Sequence, residues 1–472
     1  MSENNIQAPK LAVILKPEWN TDRVARMNVT IRADIGAAAG EELFYIQSET
    51  VTIPFCKLED LRISDAQGEI PFDTVQREQY PIKITGYAAK RQTQGTVRIA
   101  YTVYPREVTK DQRYGPYFDF RSEEGGANGA GVTFLPMLPE GRYDITLDWD
   151  LSGMPEGSGG VSSFGEGKQR RTDSPSALVY SYYAAGLLHS CTENDFGFYW
   201  FGSPSFPIAE AAGRVKEMFA TMAEFFGDKD TAYRVFARKD PFEQSGGTAL
   251  TRSFMFGYNE TLPPTVESLQ NLLAHEMVHN WPHMNDEPYG STTWYTEGTA
   301  EYYSVMLPYR NSIVSLEDTL RQIQKRTDQY YTNPTNHFSN EEAAKQYWTD
   351  RRTQRLAYGR GFFFLANVDA AMRRTTGGEK SLDDVVKPLT SRYMADGSGN
   401  NEDFIAMVKE VSGIDIRREF EAMEQGCLPV PDPDSFDGLF DRNWIETKFA
   451  ETGEKAVSYC WRIRENADGA SF

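Results

Sequence analysis

The hydrophobic pattern of this chain changes from strand-like to helix-like along its length, and this change limits its fold more than any other feature. Four runs in about the first 150 residues alternate or cluster β-branched and aromatic residues: VARMNVTIRADI, ELFYIQSETVTI, TVRIAYTVYP and GRYDITLDWDL. Stretches of helical period are missing there, but beyond residue 205 they become common. Runs of strands followed by runs of helices indicate a multidomain α+β protein.

The order of these patterns also predicts domain boundaries. At 472 residues the chain is too long for one compact core. The Gly-, Ser- and Pro-rich segment SGMPEGSGGVSSFGEGKQRRTDSPSA predicts a long loop or boundary after the first strands. Beyond it, the pattern predicts a helix over 206–228, strands over 231–239 and 248–259, and helices over 266–281 and near 294–307. We predict an N-terminal antiparallel, β-sandwich-like domain (1–175), an α+β domain (176–310) and a helical C-terminal lobe (311–472).

Charge and composition exclude several classes of partner. The formal charge of −19 argues against nucleic acid or an anionic membrane as the main partner. No stretch of about 18 apolar residues exists, and the polar start of the chain does not resemble a signal peptide. The four cysteines have no paired spacing, which favours a reducing compartment. We therefore expect a cytoplasmic protein, and its oligomeric state stays open.

Two of the five histidines lie four residues apart in LLAHEMVHNW, with a glutamate directly after the first. Thr265 can cap a helix that begins after it, and Glu267 suits the first turn of that helix. His275 and His279 then share one helical face, so two imidazoles can bind one Zn²⁺ ion. Glu276 is near enough to accept a proton from water on the metal. The alternative is a solvated helix with two incidental histidines.

A catalytic zinc site needs a third protein ligand. Glu297, in WYTEGTAEYYSVML, follows His279 by 18 positions at the start of another apolar-striped helix. His283 is the competing candidate, but Pro282 prevents it from continuing the helical face of His275 and His279. Glu297 is therefore the predicted third ligand.

Glu301 lies four residues after Glu297 on the same helical face. Its carboxylate could accept the free N–H of a ligating histidine and so fix the orientation of that ring. The alternative is an exposed helix glutamate.

These motifs resemble those of a known group. His275, His279 and Glu297 match the gluzincin pattern of thermolysin-like metallopeptidases. More narrowly, HEMVHNW, WYTEGTAEYY, YGRGFFFLANVDAAMRR, SLDDVVKPL and VSGIDIRREFEAMEQG resemble the glycyl aminopeptidase family, the sixty-first metallopeptidase family. The resemblance implies a thermolysin-like zinc catalytic domain between the β domain and the helical lobe. It also implies that Tyr358 donates a hydrogen bond to the oxyanion of the tetrahedral intermediate.

The chain departs from this family at one place. Family aminopeptidases carry Gly-Gly-Leu-Glu-His before the zinc helix, and the glutamate helps to hold the substrate's amino terminus. The matching stretch here starts at Gly246 and Gly247 and continues Thr-Ala-Leu-Thr-Arg252-Ser, without Glu or His. Gly246, Gly247 and Arg252 are predicted to border the substrate, and Glu243 or Glu260 could replace the missing carboxylate. Peptide hydrolysis is expected, whereas aminopeptidase specificity is in question.

The sequence therefore predicts a peptidase that holds one Zn²⁺ per chain and acts on a peptide or protein substrate. Glu276 would serve as the base and Tyr358 as the oxyanion donor. A first alternative is an endopeptidase or a dedicated processing protease without an amine anchor. A second is a non-catalytic scaffold that binds a partner through its β domain.

Overall fold

The computed structural model describes residues 8–50, 53–79, 82–112, 116–229, 232–243, 246–449 and 451–465. The chain divides into two compact units. The first contains Met1–Gly213 and Thr231–Leu269, and the second contains Arg214–Asp230 and Gln270–Phe472. The division at residues 175 and 310 that the sequence suggested stays a prediction.

The described residues contain strands of two to eleven residues, most of them in the first unit. They are β1 (Lys10–Asn20), β2 (Arg23–Ala33), β3 (Glu42–Thr50), β4 (Ile53–Pro54), β5 (Glu59–Asp65), β6 (Gly68–Glu69), β7 (Phe72–Gln79), β8 (Ile82–Ala89), β9 (Val97–Val103), β10 (Arg121–Glu123), β11 (Gly126–Ala130), β12 (Tyr143–Trp149), β13 (Gly159–Ser162), β14 (Gly165–Glu166), β15 (Gln169–Asp173), β16 (Tyr182–Gly186), β17 (His189–Glu193), β18 (Phe196–Trp200), β19 (Tyr233–Lys239), β20 (Gly246–Leu250), β21 (Ser253–Tyr258), β22 (Phe440–Lys448) and β23 (Lys455–Ile463).

The described α-helices follow in the same way. They are α1 (Pro175–Val179), α2 (Ile208–Phe225), α3 (Val266–Val278), α4 (Thr293–Arg310), α5 (Leu316–Tyr331), α6 (Asn340–Gln346), α7 (Arg351–Gln354), α8 (Leu356–Thr376), α9 (Asp383–Asp396), α10 (Asn401–Ser412) and α11 (Arg417–Glu424). None of the helices in the described residues is long and apolar enough to cross a membrane.

Four sheets form the first unit. A seven-stranded sheet has the order β15-β12-β1-β2-β9-β5-β6, and a four-stranded sheet has the order β4-β3-β8-β7. Two five-stranded sheets have the orders β10-β11-β16-β13-β14 and β17-β18-β19-β21-β20. The pairing is mostly antiparallel, as the sequence predicted, but β1 pairs with β12, β18 with β19 and β19 with β21 in parallel. The predicted α+β class, with β-sheets in the N-terminal part and helices in the C-terminal part, is confirmed.

Alternating burial explains why the N-terminal runs form sheets. In β1, Leu11, Val13 and Leu15 are buried, and the residues between them are more exposed. Such a period of two places one apolar face of the strand against a core. Val29 and Ile99, from neighbouring strands of the same sheet, belong to the same continuous apolar cluster. This cluster is the core of the first unit.

The Gly- and Ser-rich segment contains short strands where the sequence predicted a long loop. β13, β14 and β15 lie within it, and β15 pairs with β12. A Cβ atom on Gly160 would lie 2.4 Å from the Trp149 ring. The glycine therefore allows that ring to pack against the strand, so its presence reflects close approach and not an irregular backbone.

The five-stranded sheet that ends with β20 corrects a second expectation from the sequence. The predicted strand over 248–259 is a hairpin, in which Leu250 pairs with Ser253. Arg252, in the turn, has a φ of +51°, in the left-handed region that reverses the chain. β20 is consequently an edge strand, paired with β21 alone in this sheet.

Glycines allow a close crossing of α4 and α8 in the second unit. A Cβ atom on Gly298 would lie 2.5 Å from Gly361 Cα, and one on Gly361 would lie 2.0 Å from the Trp294 carbonyl oxygen. Neither position can hold a larger residue without a shift of backbone. Gly298 directly follows Glu297, and Gly361 lies one turn after Tyr358. The crossing therefore brings the helices that carry these two predicted site residues together.

A C-terminal hairpin, which the sequence pattern did not reveal, packs on α5. β22 and β23 pair in an antiparallel manner. The buried Trp461 of β23 donates from Nε1 to Thr327 Oγ1 (2.9 Å), and its backbone N–H donates to Gln324 Oε1 (3.0 Å). The hairpin is thereby attached to a helix of the C-terminal lobe.

Candidate metal centre

The helix that carries the His-Glu-x-x-His motif begins and ends at definable signals. Thr265 Oγ1 accepts a hydrogen bond from the Ser268 N–H (3.1 Å), so the predicted N-cap is confirmed. α3 ends at Val278, three residues before the predicted end, and His279 lies in the turn that follows. Trp281, fully buried, donates to Asp228 (2.7 Å). That bond fixes the end of the turn and with it the position of His279.

The three predicted metal ligands, His275, His279 and Glu297, lie close together in the second unit, and their donor atoms form a triangle. His275 Nε2 lies 3.2 Å from His279 Nε2. Glu297 Oε2 lies 3.3 Å from the former atom and 3.5 Å from the latter. The three side chains are at most 16% exposed. His275, His279 and Glu297 are also the only group of three or more potential ligands found close enough together in the described residues to bind a metal.

The dimensions of this triangle fit a zinc ion. Bonds of about 2.0–2.1 Å in a tetrahedron separate the donor atoms by roughly 3.3–3.4 Å. The measured separations of 3.2 to 3.5 Å agree with this value. Glu297 Oε2 is buried and accepts no hydrogen bond of acceptable geometry from any described residue. An acceptor buried in this way needs a positive partner, and a divalent cation would provide one.

Glu301 lies behind one of these donors. Its Oε1 lies 3.3 Å from His275 Nδ1, and its Oε2 pairs with Arg326 of α5. A carboxylate at Nδ1 favours the imidazole tautomer whose Nε2 lone pair faces the other two donors. Burial opposes ionisation of Glu301, but Arg326 and His275 outweigh it and hold the pKa of its carboxyl below the usual range. Glu301 is therefore a half-buried, ionised neighbour of the triangle.

The triangle itself is strongly polarised. Burial opposes the charge on His275, but Glu301 and Glu297 outweigh it and raise the imidazole pKa to about 10. Burial likewise opposes ionisation of Glu297, but the two histidines outweigh it and hold the pKa of its carboxyl below the usual range. In this arrangement the carboxylate is negative and ready to act as a ligand.

Glu276 is an acid beside the triangle that does not belong to it. Burial raises the pKa of its carboxyl; Glu297 and Glu301 act in the same direction, and the two histidines oppose them. A carboxylate with a raised pKa is a stronger base than one in water. The position and the direction of this shift suit a group that takes up a proton.

Two tyrosines lie at the triangle, and only one was expected. The Tyr358 ring stacks on His275, with ring centroids 5.4 Å apart and planes 5° apart. Burial, and secondly Glu297, raise the pKa of its hydroxyl well above the usual value, so it remains a proton donor. Tyr347 donates to Glu297 Oε1 (3.4 Å), the oxygen that faces away from the histidines.

Arg326 and Tyr347 were missed by the sequence analysis. They contact Glu301 and Glu297 from 25 and 50 positions away in the chain. No motif spans these separations. With 25 tyrosines in the chain, residue type alone also carries little information.

The predicted substrate-binding residues lie in the first unit. Gly246 and Gly247 begin β20, and Arg252 lies in the turn after it. A Cβ atom on Gly247 would lie 1.9 Å from the Phe254 ring, which explains the need for glycine there. β20 carries no acidic side chain. The roles of these three residues stay predictions.

Comparisons with known proteins identify the fold. No protein-family model and no curated protein sequence matches the chain. Among solved structures, it is similar to an aminopeptidase N family protein from Idiomarina loihiensis (13% identity, TM-score 0.69), covering 92% of this chain and 79% of that one.

An M1 zinc metallopeptidase from Deinococcus radiodurans is also similar (14% identity, TM-score 0.54, covering 91% and 96%). A variant of the Deinococcus enzyme has been solved with a Tyr-Ser-Ala substrate. The chain thus shares the multidomain architecture of these metallopeptidases.

Proposed function

We propose that this protein is a zinc-dependent peptidase that holds one Zn²⁺ per chain on His275, His279 and Glu297. The observation that carries the proposal is the triangle of donor atoms, 3.2 to 3.5 Å apart, next to a buried glutamate that is not a ligand. The shared fold of M1 zinc metallopeptidases supports it. The resemblance to the glycyl aminopeptidase family belongs to the same proposal.

Each residue of the centre has a defined task in this reaction. When bound, Zn²⁺ would polarise the scissile carbonyl and lower the pKa of a bound water to about 7. Glu276 takes the proton of the attacking water and passes it to the leaving amine. Tyr358 donates a hydrogen bond from its hydroxyl to the oxygen on which negative charge develops.

Two further residues position the ligands. Glu301 holds the Nδ1 proton of His275, which orients the imidazole and keeps its Nε2 free. Tyr347 occupies Glu297 Oε1, so that Oε2 alone faces the histidines. A single carboxylate oxygen in the ligand set leaves room for water and substrate.

One observation favours an endopeptidase or a dedicated processing protease over an aminopeptidase. An enzyme that selects free amino termini must pair a charged ammonium group in a partly dry cleft. The strand β20, which matches the anchoring stretch of the family, offers no carboxylate. We therefore propose peptide-bond hydrolysis in a peptide or protein substrate without a requirement for a free amino terminus.

Metal analysis combined with a peptide screen tests this function. The purified protein should contain about one zinc per chain and should cleave both free and N-blocked peptides. Hydrolysis should stop on chelation and return with Zn²⁺. A zinc-loaded protein that cleaves no member of a diverse peptide set would leave the partner-binding scaffold as the better interpretation.

A further inference from the structure

A cleft of about 480 Å³ opens beside Glu297 in the second unit. This volume lies in the range of about 300–1,000 Å³ that small-molecule sites occupy. Five ring-bearing side chains dominate its lining: His283, Tyr289, Tyr347, Trp348 and Tyr393. Asp286 and Glu297 are the two carboxylates of the lining. Because Glu297 is in the lining, a group inside the cleft lies next to the candidate metal centre.

The rings form two groups. Trp348 donates from Nε1 to the Tyr289 hydroxyl (2.7 Å) and packs edge-on against Tyr347, with centroids 5.0 Å apart. His283 stacks on Tyr393, with centroids 5.4 Å apart and planes 20° apart. These contacts hold the rings in place before any ligand arrives. A prepared aromatic lining reduces the entropy lost on binding.

The charges of the cleft are already engaged. No lysine or arginine is in the lining. Asp286 Oδ1 accepts from the Thr292 N–H and hydroxyl, and its Oδ2 accepts from the Gly290 N–H. Glu297 faces the metal centre. Asp286 therefore holds the backbone at Gly290 and Thr292, and Glu297 belongs to the candidate metal centre. The surface left for a ligand is more apolar than polar, and the five rings are its largest side chains.

On the premise of the proposed peptidase function, we propose that this cleft is a specificity subsite for an aromatic side chain of a residue that directly flanks the scissile bond. Phenylalanine, tyrosine or tryptophan can pack edge-on or offset against the rings and bury a large apolar surface. An acidic side chain meets no lysine or arginine among the described residues of the lining. A lysine or arginine finds only Asp286, which already accepts three hydrogen bonds, and Glu297, which faces the candidate metal centre.

A matched peptide series tests the preference. The residue on each side of the cleaved bond is varied separately among Phe, Trp, Leu, Lys and Ala in one N-blocked sequence. At one of the two positions, kcat/KM for Phe and Trp should exceed that for Ala by about thirtyfold, or about 2 kcal/mol. Equal values at both positions would overturn the subsite and leave the peptidase function standing. A preference for Lys would overturn the aromatic class.

Variants of Tyr393 connect the preference to the cleft, because Tyr347 is already assigned to the metal centre. Tyr393→Ala should lower kcat/KM for the Phe peptide at least fivefold and change the Ala peptide by less than twofold. Tyr393→Phe keeps the ring and should retain the preference. Met394→Ala, at the exposed neighbour on α9, is the matched control and should leave both peptides unchanged. An equal loss for both peptides in Tyr393→Ala would contradict the assignment.

A binding measurement separates this inference from the proposed function. In the Glu276→Gln background, calorimetry with the Phe and Ala peptides reports affinity without hydrolysis. The Phe peptide should bind at least tenfold more tightly, and adding Tyr393→Ala should remove the difference. Absence of hydrolysis by the wild type together with this preference would reject the peptidase and keep the subsite. Equal affinity of the two peptides would reject the subsite.

Discussion

Two buried clusters of charge, one in each unit, are built in opposite ways. In the first unit, Asp119 pairs with Arg238 (2.8 Å), Arg121 (2.7 Å) and Arg106 (3.3 Å), and Arg121 also pairs with Asp240 (3.2 Å). Arg238 and Asp119 are 1% and 2% exposed. Burial opposes ionisation of Asp119, but Arg238 and Arg121 outweigh it and lower the pKa of its carboxyl. The arginines of the chain compensate this cluster completely.

The cluster around Glu297 lacks this compensation. Glu276, Glu297 and Glu301 lie together, and the only arginine in contact with them among the described residues is Arg326, at Glu301. The remaining partners are two imidazoles, and the carboxylates raise the pKa of His275. A metal bound to both rings would replace the proton as the positive charge. A divalent cation would make up the missing positive charge. Three half-buried carboxylates with one arginine therefore favour a metal-binding role for this cluster, whereas the compensated Asp119 cluster favours a structural role.

Under the proposed function, the largest effect is expected at Glu276, which acts as the base and is not one of the three metal ligands. Glu276→Gln keeps the size of the side chain but cannot take up a proton at neutral pH. We expect kcat to fall by about 10³–10⁴-fold, or roughly 4–5.5 kcal/mol, while zinc content stays at one per chain. Steady-state kinetics and metal analysis of the same sample measure both. Near wild-type turnover in the variant would mean that another base acts.

Removing one metal ligand should show that the cluster around Glu297, unlike the cluster around Asp119, depends on zinc. His279→Ala should lose zinc, and with it the stabilisation that zinc gives the folded state. That stabilisation is about 4 kcal/mol at a free concentration a thousandfold above the dissociation constant. Metal analysis and thermal unfolding with and without Zn²⁺ provide the measurement. His189→Ala, in a strand of the first unit, is the control and should keep the metal. Full zinc occupancy in His279→Ala would show that the ligands are misassigned.

A substitution in the Asp119 cluster should instead lower the free energy of unfolding and leave the zinc content unchanged. Arg238→Met leaves Asp119 with weaker partners in a buried place and should lower the free energy of unfolding by about 3–5 kcal/mol. Zinc content should not change. Arg26→Met breaks an exposed pair with Glu18 and should lower the free energy of unfolding far less, because solvent screens such a pair. Urea unfolding at neutral pH measures both variants, and equal losses would remove the contrast between buried and exposed pairs.

The pH dependence of this loss follows from the pKa of Asp119. Since its folded pKa is lowered, the stabilisation is present above the unfolded value of about 3.8 and is lost as pH falls through the folded pKa. The difference between wild type and Arg238→Met should therefore shrink below about pH 3.8.

A smaller loss of kcat is expected at Tyr358, an uncharged hydrogen-bond donor at the candidate metal centre. Tyr358→Phe keeps the ring that stacks on His275 but removes the hydroxyl. Loss of one oxyanion donor typically costs 10²–10³-fold in kcat, or about 2.7–4 kcal/mol. Tyr347→Phe should instead weaken zinc binding, by about 10–100-fold, because the hydroxyl contacts a ligand. The reverse pattern, with kcat reduced mainly in Tyr347→Phe, would exchange the two roles.

The same contrast explains how much the sequence could predict. His275 and His279 lie four residues apart on one turn, so their convergence follows from helix geometry alone. The α+β class follows from hydrophobic period in the same way. Arg326 and Tyr347 reach the centre through packing between distant helices, which no local pattern encodes. The three-arginine cluster around Asp119 likewise depends on a contact between residues 119 positions apart, Asp119 and Arg238, which no local pattern predicts.

Arg252 and the Gly-rich segment show why local propensity also misled the assignment. Arg252 adopts a left-handed conformation that its residue type disfavours. The sequence pattern therefore predicts one strand where the structure has a hairpin. Gly160 of β13 allows Trp149 to pack closely, although glycine usually indicates a loop. In both places tertiary packing decides the backbone conformation. The sequence alone does not reveal such packing.

The smallest effect concerns the substrate's amino terminus. A free α-ammonium needs an unengaged carboxylate, and under the proposed function the nearby acids have other tasks. Glu297 would bind the metal, Glu301 contacts Arg326 and His275, and Glu276 would transfer the proton. β20 carries no acid, so an anchor would have to come from a residue such as Glu243 or Glu260. We expect acetylation of a peptide's amino terminus to lower kcat/KM by less than tenfold, or about 1.4 kcal/mol. Matched free and acetylated peptides with the same cleaved bond provide the measurement. A loss of a thousandfold or more would show that an amine anchor exists, and Glu243→Gln and Glu260→Gln would then identify which carboxylate provides it.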